Sequence, residues 1–272
     1  MNDEARILQA KNDTLTAHLR RLGRAAVAFS AGVDSAFLLK TAHDILGEQT
    51  IAVTARCVSF PEREIREAAA LSKAIGVRHV VVDVDQMAIP GFSDNPPDRC
   101  YLCKKALFRA LSDAAGKLGF PVLIEGTNAD DTRDYRPGMR ALRELDIGSP
   151  LMEADLTKED IRRLSRGLGL PTWSKPSLAC LATRIPYGEL ITPSKLSIID
   201  EAEQFLFDSG FGQVRVRMHG KLARIETLPE DFARITDPEL SQAICRKLTD
   251  LGFDYVTLDL AGYTTGSMNK TI

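Results

Sequence analysis

Two groups of residues have the types and spacing to do chemistry. The first is the string Ser30-Ala31-Gly32-Val33-Asp34-Ser35. Small residues let backbone N–H groups approach an anion closely, and a helix that follows presents its free N–H groups and positive dipole end. The Ser30 and Ser35 hydroxyls add donors, while Asp34 is badly placed for a phosphate unless it holds a cation such as Mg2+. The same string also fits a tight turn in which Ser30 or Asp34 caps a helix. No Gly-x-x-x-x-Gly-Lys-Ser/Thr string occurs in the chain, which argues against a Walker-type kinase or switch GTPase.

The second group is Cys100 and Cys103, within Asp98-Arg99-Cys100-Tyr101-Leu102-Cys103-Lys104-Lys105, together with Cys180. A Cys-x-x-Cys at the head of a helix lets two thiolates grip one metal centre. Structural zinc usually takes four ligands, and the chain has no second Cys-x-x-Cys or spaced His pair. Three thiolates can instead hold a four-iron cluster and leave one iron open. A redox dithiol at 100 and 103, with an unrelated core thiol at 180, fits the same spacing.

These groups need elements to hold them. Residues 25–29 form a short apolar run that stops at Ser30, and helical spacing follows over 34–46. Further apolar runs at 51–55, 77–84 and 121–124 alternate with helical stretches at 62–75 and 103–118, behind an amphipathic opening helix over 5–22. Short continuous apolar runs between helices predict a parallel sheet covered on both faces. Beyond Glu125 the chain turns irregular, a helix returns over 158–168, and 171–188 is a Pro-containing connector. A second unit follows: a helix over 193–208, a strictly alternating strand at 214–218, a turn at His219-Gly220-Lys221, a strand at 222–225, a helix over 238–251 and a strand at 255–258. The expected division is 1–186 for an α/β nucleotide-binding domain and 187–272 for a smaller α+β domain.

With 272 residues, 44% of them hydrophobic and 26% charged, the chain can bury a sizeable core. Its 35 Lys+Arg and 37 Asp+Glu nearly cancel, so the total charge asks for no nucleic-acid partner. The start, Met1-Asn2-Asp3-Glu4-Ala5-Arg6, lacks the basic-then-apolar order of a secretory signal, and the apolar runs fall short of the roughly 20 residues that span a bilayer. The expected place is the cytoplasm, where five cysteines stay reduced.

The string at 30–35 resembles the Ser-Gly-Gly-x-Asp-Ser signature of PP-loop ATP pyrophosphatases, which bind ATP in a Rossmann-like sheet, transfer AMP and release pyrophosphate. It departs at Ala31, where the signature usually has Gly, and the extra methyl is expected to be tolerated only at negative φ. A longer set of motifs resembles the LarE family, in order along nearly the whole chain. These are residues 29–40, the stretch Asn95-Pro96-Pro97-Asp98-Arg99-Cys100-Tyr101-Leu102-Cys103-Lys104, Glu125-Gly126-Thr127-Asn128-Ala129-Asp130-Asp131 with residues 134–138, residues 175–184, Arg215-Val216-Arg217-Met218-His219-Gly220 with residues 223–226, and the tail 262–267. That resemblance implies ATP-dependent sulfur insertion in the synthesis of nickel-pincer nucleotide: a carboxylate of pyridinium-3,5-biscarboxylate mononucleotide is adenylated and its oxygen replaced by sulfur. One branch of the family sacrifices the sulfur of a single cysteine at the position of Cys180. A second holds a [4Fe–4S] cluster on three cysteines matching Cys100, Cys103 and Cys180. All three are present here, which implies the cluster branch, with sulfur delivered as hydrosulfide on the open iron. The resemblance also suggests a homo-oligomer, of which a hexamer is one form, with the second domain at the contacts.

Several residues then acquire expected roles. Lys104 contacts a substrate carboxylate or the leaving phosphate. Gly126 and Thr127 open the loop after the fourth apolar run and offer backbone contact to the α-phosphate or ribose of ATP, with Asp131 and Arg136 in the same loop. Arg184 stabilises charge at the adenylated carboxyl. The plain alternatives are a solvated lysine for Lys104 and loop ion pairing for Asp131, Arg136 and Arg184. Arg215 and Arg217 alternate with Val214, Val216 and Met218, so both guanidiniums share one strand face and suit a phosphate monoester; the alternative is the polar face of a half-buried sheet. His79, His219, Cys57 and Cys245 receive no function. A tRNA-thiolating PP-loop enzyme would need zinc-ribbon cysteines or a basic surface, and an amide-forming ATP ligase would leave Cys100 and Cys103 idle.

Overall fold

Ala25, Ala26 and Val27 are fully buried, and a strand with no polar face can sit only inside a sheet covered on both sides. The computed structural model, which describes residues 3–133, 138–176 and 179–264, places them there. Helix α1 (Asp3–Leu22) leads to β1 (Ala25–Ala28), and the alternation continues through α2 (Val33–Leu46), β2 (Thr50–Arg56), α3 (Glu62–Ile75), β3 (Arg78–Asp83), α4 (Arg99–Lys117) and β4 (Leu123–Ile124). The sheet order is β3-β2-β1-β4, and every pairing is parallel, with Ala26 opposite both Ile51 and Leu123. The order reverses direction between β1 and β4. Doubly wound folds bind ligands beyond the carboxyl ends of the strands at such a switch point. The α/β expectation holds.

Packing explains the rigidity of this frame. Leu15 and Leu19 of α1 and Phe37, Leu38 and Leu39 of α2 are at most 1% exposed and join one core with Val27 and Ile124. Each such side chain contributes about 1.5–3 kcal/mol on burial. The stretch read as irregular contains two short helices, α5 (Gly138–Glu144) and α6 (Pro150–Glu153), whose glycines and proline interrupt any apolar period. Helix α7 (Lys158–Gly167) starts from a capping box in which Thr157 and Asp160 satisfy each other's backbone N–H groups.

The second sheet has the order β5-β6-β7. Helix α8 (Pro193–Asp208) precedes β5 (Val214–His219), which turns at Gly220, φ 57, into antiparallel β6 (Leu222–Thr227). A short α9 (Phe232–Ile235) and then α10 (Pro238–Asp250) carry the chain to β7 (Tyr255–Leu258), parallel to β6.

The chain forms two compact units, one of residues 1–85 and 100–178, the other of 86–99 and 179–272. The expected division lay near Pro186, with no segment crossing back. Residues 86–99 belong to the second unit because Asn95, fully buried, donates Nδ2 to the carbonyls of Ile185 and Pro186 at 3.2 and 2.6 Å, and Ile191 N donates to Ser93 O at 2.9 Å. No described helix is long and apolar enough to cross a membrane.

One polar relay supports the end of β1. Thr54 Oγ1 donates to Phe29 O at 2.6 Å, so its single proton is committed and His79 Nε2, 2.7 Å away, must be the donor to it. Burial pushes His79 below its ordinary value of 6.5. The unfolded chain therefore binds the proton more readily, and stability rises with pH through the window below 6.5. His79→Gln, which keeps a donor toward Thr54, is expected to flatten the dependence of unfolding free energy on pH below 6.5 in urea titrations. An unchanged slope would show that His79 titrates alike in both states.

Candidate functional site

Phe29 N donates to Val53 O at 2.8 Å, so β1 stays paired up to the point where the chain leaves the sheet at Ser30. The turn that follows closes on itself. Ser30 Oγ and Ser35 Oγ lie 3.1 Å apart, Ser30 N donates to Ser35 Oγ at 3.3 Å, and Gly32 N donates to Ser30 Oγ at 3.4 Å. Gly32 occupies the cap position of α2 and has no side chain to cap it; Ser30 Oγ takes only the N–H of Gly32 itself, and Asp34 lies inside the helix. A 14-residue helix thus opens at the switch point with its positive end uncapped by any side chain.

Ala31 overturns one expectation. Its φ is 52, in the left-handed region, where a negative angle was expected. The methyl is 2% exposed within the core, and Lys175 Nζ donates to the Ala31 carbonyl at 3.1 Å. Packing and this hydrogen bond offset a conformational cost of about 1–2 kcal/mol.

The loop after β4 meets the turn at close range. A Cβ on Gly126 would stand 3.0 Å from Ser35 N and 3.2 Å from the Asp34 carbonyl carbon, so glycine is needed for the approach. Asn128, 2% exposed, donates Nδ2 to Asp34 Oδ1 at 3.3 Å, and Lys158 Nζ pairs with Asp34 Oδ2. Lys158 is oriented by the start of α7, where its own N–H donates to Asp130 Oδ2 at 2.8 Å. Asp131 Oδ2 accepts from Asn128 N at 3.1 Å. Thr127 donates both its N–H and its hydroxyl to Glu125, at 2.9 and 2.8 Å, and Ser149 Oγ donates to the same carboxylate at 2.6 Å. Thr127 therefore shapes the loop, and its backbone donor is used inside the protein.

Cys100 and Cys103 share the first turn of α4, half-buried and buried respectively, in the first unit. Cys180, half-buried, precedes the single-turn 3-10 helix Leu181–Arg184 in the second. None of the three is in a disulfide. Among the described residues no three His, Cys, Asp or Glu side chains stand together as a metal site. Lys104 lays its stem over Gly138, where a Cβ would come within 2.5 Å of Lys104 Cδ, and its ammonium lies 5.7 Å from the Phe108 ring centre. Arg136 lies outside the described residues.

In the second unit the arginines are inside. Arg184, 2% exposed, was expected to face a reacting carboxyl. Its three guanidinium nitrogens instead all donate within the protein: Nε and Nη2 fork onto Glu203 at 2.9 Å each, and Nη1 reaches the carbonyls of Ala179 and Cys180 at 2.6 and 3.1 Å. Arg215 and Arg217, 2% and 5% exposed, do not line a solvated face, because β5 is covered on both sides. Arg217 donates to Glu226 at 2.7 Å and to Thr183 O at 3.0 Å, and the Arg215 guanidinium lies 5.2 Å from the Tyr263 ring centre. Arg224 shares Glu226 at 3.0 Å and lies 3.5 Å from the partly exposed Asp259. Burial alone would raise the Glu203 carboxyl, but the charge and hydrogen bonds of Arg184, with Arg215 and the Val216 N–H, hold it below the ordinary carboxylate value. Among the described residues, four guanidiniums gather around two fully buried carboxylates, a positive cluster that suits an anionic ligand.

No protein-family model matches the chain. An uncharacterised protein of Synechocystis sp. is 41% identical over 266 residues, spanning 98% of this chain and 99% of its own length. The pyridinium-3,5-bisthiocarboxylic acid mononucleotide synthase of Lactiplantibacillus plantarum is 39% identical over 267 residues, 97% of this chain and 96% of its own. The chain belongs to the LarE family. Weaker matches cover part of it: a glutamine-hydrolysing GMP synthase of Thermoplasma acidophilum is 29% identical across 68% of this chain and 64% of its own length. The tRNA-specific 2-thiouridylase of Desulforamulus reducens is 26% identical across 56% and 53%.

Within this LarE chain, sequence reasoning passed over Lys158 and Glu203, and gave no role to Glu125 and Glu226 although both lie in the family-like motifs. A signal for Glu203 existed: it falls four residues after Ile199 and three before Leu206, inside the apolar stripe of α8, where a carboxylate must be paired. Lys158, the first residue of α7, carries no such mark. The strain at Ala31 is measurable. Ala31→Gly relieves about 1–2 kcal/mol of left-handed strain, against about 0.8 kcal/mol for a buried methyl and about 0.4–1 for added unfolded-state freedom. Near-neutral stability is expected in urea unfolding. Ala36→Gly, within α2 and fully buried, should cost about 2 kcal/mol from propensity and burial together. Equal losses at both positions would mean that Ala31 carries no strain.

Proposed function

We propose that the protein is an ATP-dependent sulfur-inserting enzyme of nickel-pincer nucleotide synthesis, acting on pyridinium-3,5-biscarboxylate mononucleotide. The observation that carries this reading is the near full-length match to a relative named for the bisthiocarboxylic product. The turn at 30–35 supports it, since an uncapped helix start beside a carboxylate suits a triphosphate with its Mg2+.

In this reading a substrate carboxylate oxygen forms a bond to the α-phosphorus of ATP, the bond from that phosphorus to the bridging oxygen breaks, and pyrophosphate leaves. The N–H groups at the start of α2, with Ser30 and Ser35, hold the pyrophosphate portion. Asp34 takes the cation, and Lys158, now paired with Asp34, turns to the phosphates. Gly126 lets the neighbouring loop approach this turn, and Asn128 and Asp131 fix that loop's shape. Adenylation converts a poor oxide leaving group into AMP, so sulfur can attack the acyl carbon and expel AMP. Lys104 offsets the negative charge that develops there. Arg215 and Arg217 neutralise the substrate's phosphate monoester.

Cys100, Cys103 and Cys180 are the residues that would hold a [4Fe–4S] cluster. The donor types fit: three cysteines outside any disulfide, two of them on one helical turn. Such a cluster supplies an open iron where incoming sulfur binds. The family resemblance also carries a homo-oligomer, which light scattering would detect.

Two measurements test the reading. Asp34→Ala and Ser35→Ala are each expected to abolish substrate-dependent pyrophosphate release with the fold intact by circular dichroism. Undiminished release in both would sink the nucleotide assignment. After many anaerobic turnovers, mass spectrometry of Cys180 should find it unmodified with several products per chain. Loss of its sulfur in step with product formed would establish a sacrificial cysteine instead.

A further inference from the structure

The turn after Cys180 is held by carbonyl contacts to buried side chains. Arg184 Nη1 donates to Ala179 O and Cys180 O, and Thr183 Oγ1 and Thr183 N donate to Cys180 O at 2.9 and 3.0 Å. Arg99 donates to Ala182 O at 3.2 Å and Arg217 to Thr183 O at 3.0 Å. Thus three arginines hold four carbonyls of a segment only five residues long. Arg184 can do so because Glu203, fully buried on α8, fixes its guanidinium by a two-point fork. The fork leaves Nη1 aimed back along the chain. The same Glu203 Oε1 accepts from Val216 N at 2.9 Å, between Arg215 and Arg217 on β5.

We propose that Glu203 is a positioning residue: through Arg184 it orients the Cys180 turn for sulfur transfer, and through Val216 it ties that turn to the strand bearing Arg215 and Arg217. The inference rests on the proposed function for what Cys180 does, while the geometry of the tie is independent of it. A planar guanidinium held by two hydrogen bonds has one orientation, so Cys180 inherits its direction from α8. Lysine at 184 could neutralise Glu203 but could not also span the Ala179 and Cys180 carbonyls.

The test uses the full-length protein with Glu203→Gln, which keeps the volume and an acceptor for Val216, and Thr183→Val, which removes one donor to the Cys180 carbonyl and one acceptor from Arg184 Nη1 while leaving the Glu203 fork in place. Three quantities are read: the alkylation rate of Cys180 by iodoacetamide without added iron or sulfide, with exposed Cys245 as internal control; pyrophosphate release; and sulfur transferred per pyrophosphate released. Glu203→Gln should alter the Cys180 alkylation rate with Cys245 unchanged and, beyond any loss of pyrophosphate release, lower sulfur transferred per pyrophosphate about a hundredfold, as an ångström of misplacement does. Thr183→Val should move the same two readouts less. Unchanged Cys180 alkylation in both variants overturns the proposal, and so does an equal loss of pyrophosphate release and sulfur transfer, the mark of a general structural defect. Should Glu203→Gln fail to fold, an unaltered Cys180 rate in Thr183→Val overturns it alone. Altered alkylation in a protein whose unsubstituted form makes no thiolated product supports the positioning tie and rejects the functional reading.

Discussion

A helix start with no side-chain cap is the constraint around which the first unit is arranged. Three other long helices are capped by side chains: Thr157 before α7, Thr192 before α8 and Asp237 before α10 each accept a backbone N–H. Such a cap is worth about 1 kcal/mol, and α2 forgoes it at Gly32. Helix α3 also begins without one, behind Pro61, but Glu62 and Glu64 in its first turn answer the dipole. The only acidic side chain in the first turn of α2 is Asp34, and Lys158 and Asn128 engage it. The positive end of α2 therefore lacks the local answers that these other helices have.

Keeping that start uncapped requires the turn before it to hold its shape by other means. Ser30 and Ser35 hydrogen-bond across the turn, Ala31 is locked at positive φ by core packing, and Lys175 binds its carbonyl while pairing with Glu67 at 2.5 Å. Gly126 admits the neighbouring loop to a distance at which a Cβ would stand 3.0 Å from Ser35 N. Each device replaces a cap with a contact made elsewhere in the turn. The relay from His79 through Thr54 to Phe29 extends this support one residue back along the chain.

Much of this was legible in the sequence, because local signals and the global fold agree. Short apolar runs between helices indicated parallel strands, of which β1 and β2 are buried while the edge strand β3 is only partly so, and the turn residues between them mark the switch point. The alternation at 214–218 correctly indicated a strand but misled about its exposure. Period two identifies which residues share a face, and it is silent on what covers that face; here both faces are buried, and Arg215 is among the largest fully buried side chains. Arg184 shows a second limit. Its charge and its nearness to Cys180 suggested direct chemistry, whereas its partner, Glu203, stands 19 residues away and is revealed only by packing. Ala31 shows a third: a residue's φ is set by the turn, and the side chain's preference yields when the core holds its methyl.

The two units concentrate positive potential by opposite physical means. Backbone N–H groups and a helix dipole carry only partial charge, so the first unit can present them at the edge of a dry core with little desolvation cost. Guanidiniums are full charges, and burying them demands counter-charges. Glu203 and Glu226 provide these, both fully buried, and removing either would leave an uncompensated guanidinium at a cost of about 3–5 kcal/mol. Asp259, at 3.5 Å from Arg224 and partly exposed, adds only a screened share. Arg215 donates to Val214 O at 2.7 Å and lies against the Tyr263 ring, yet burial and repulsion from Arg184 and Arg217 together push its pKa down. A cluster that favours losing positive charge favours gaining negative charge equally. Among the described residues Glu203, Glu226 and the partly exposed Asp259 are the carboxylates that pair with the cluster.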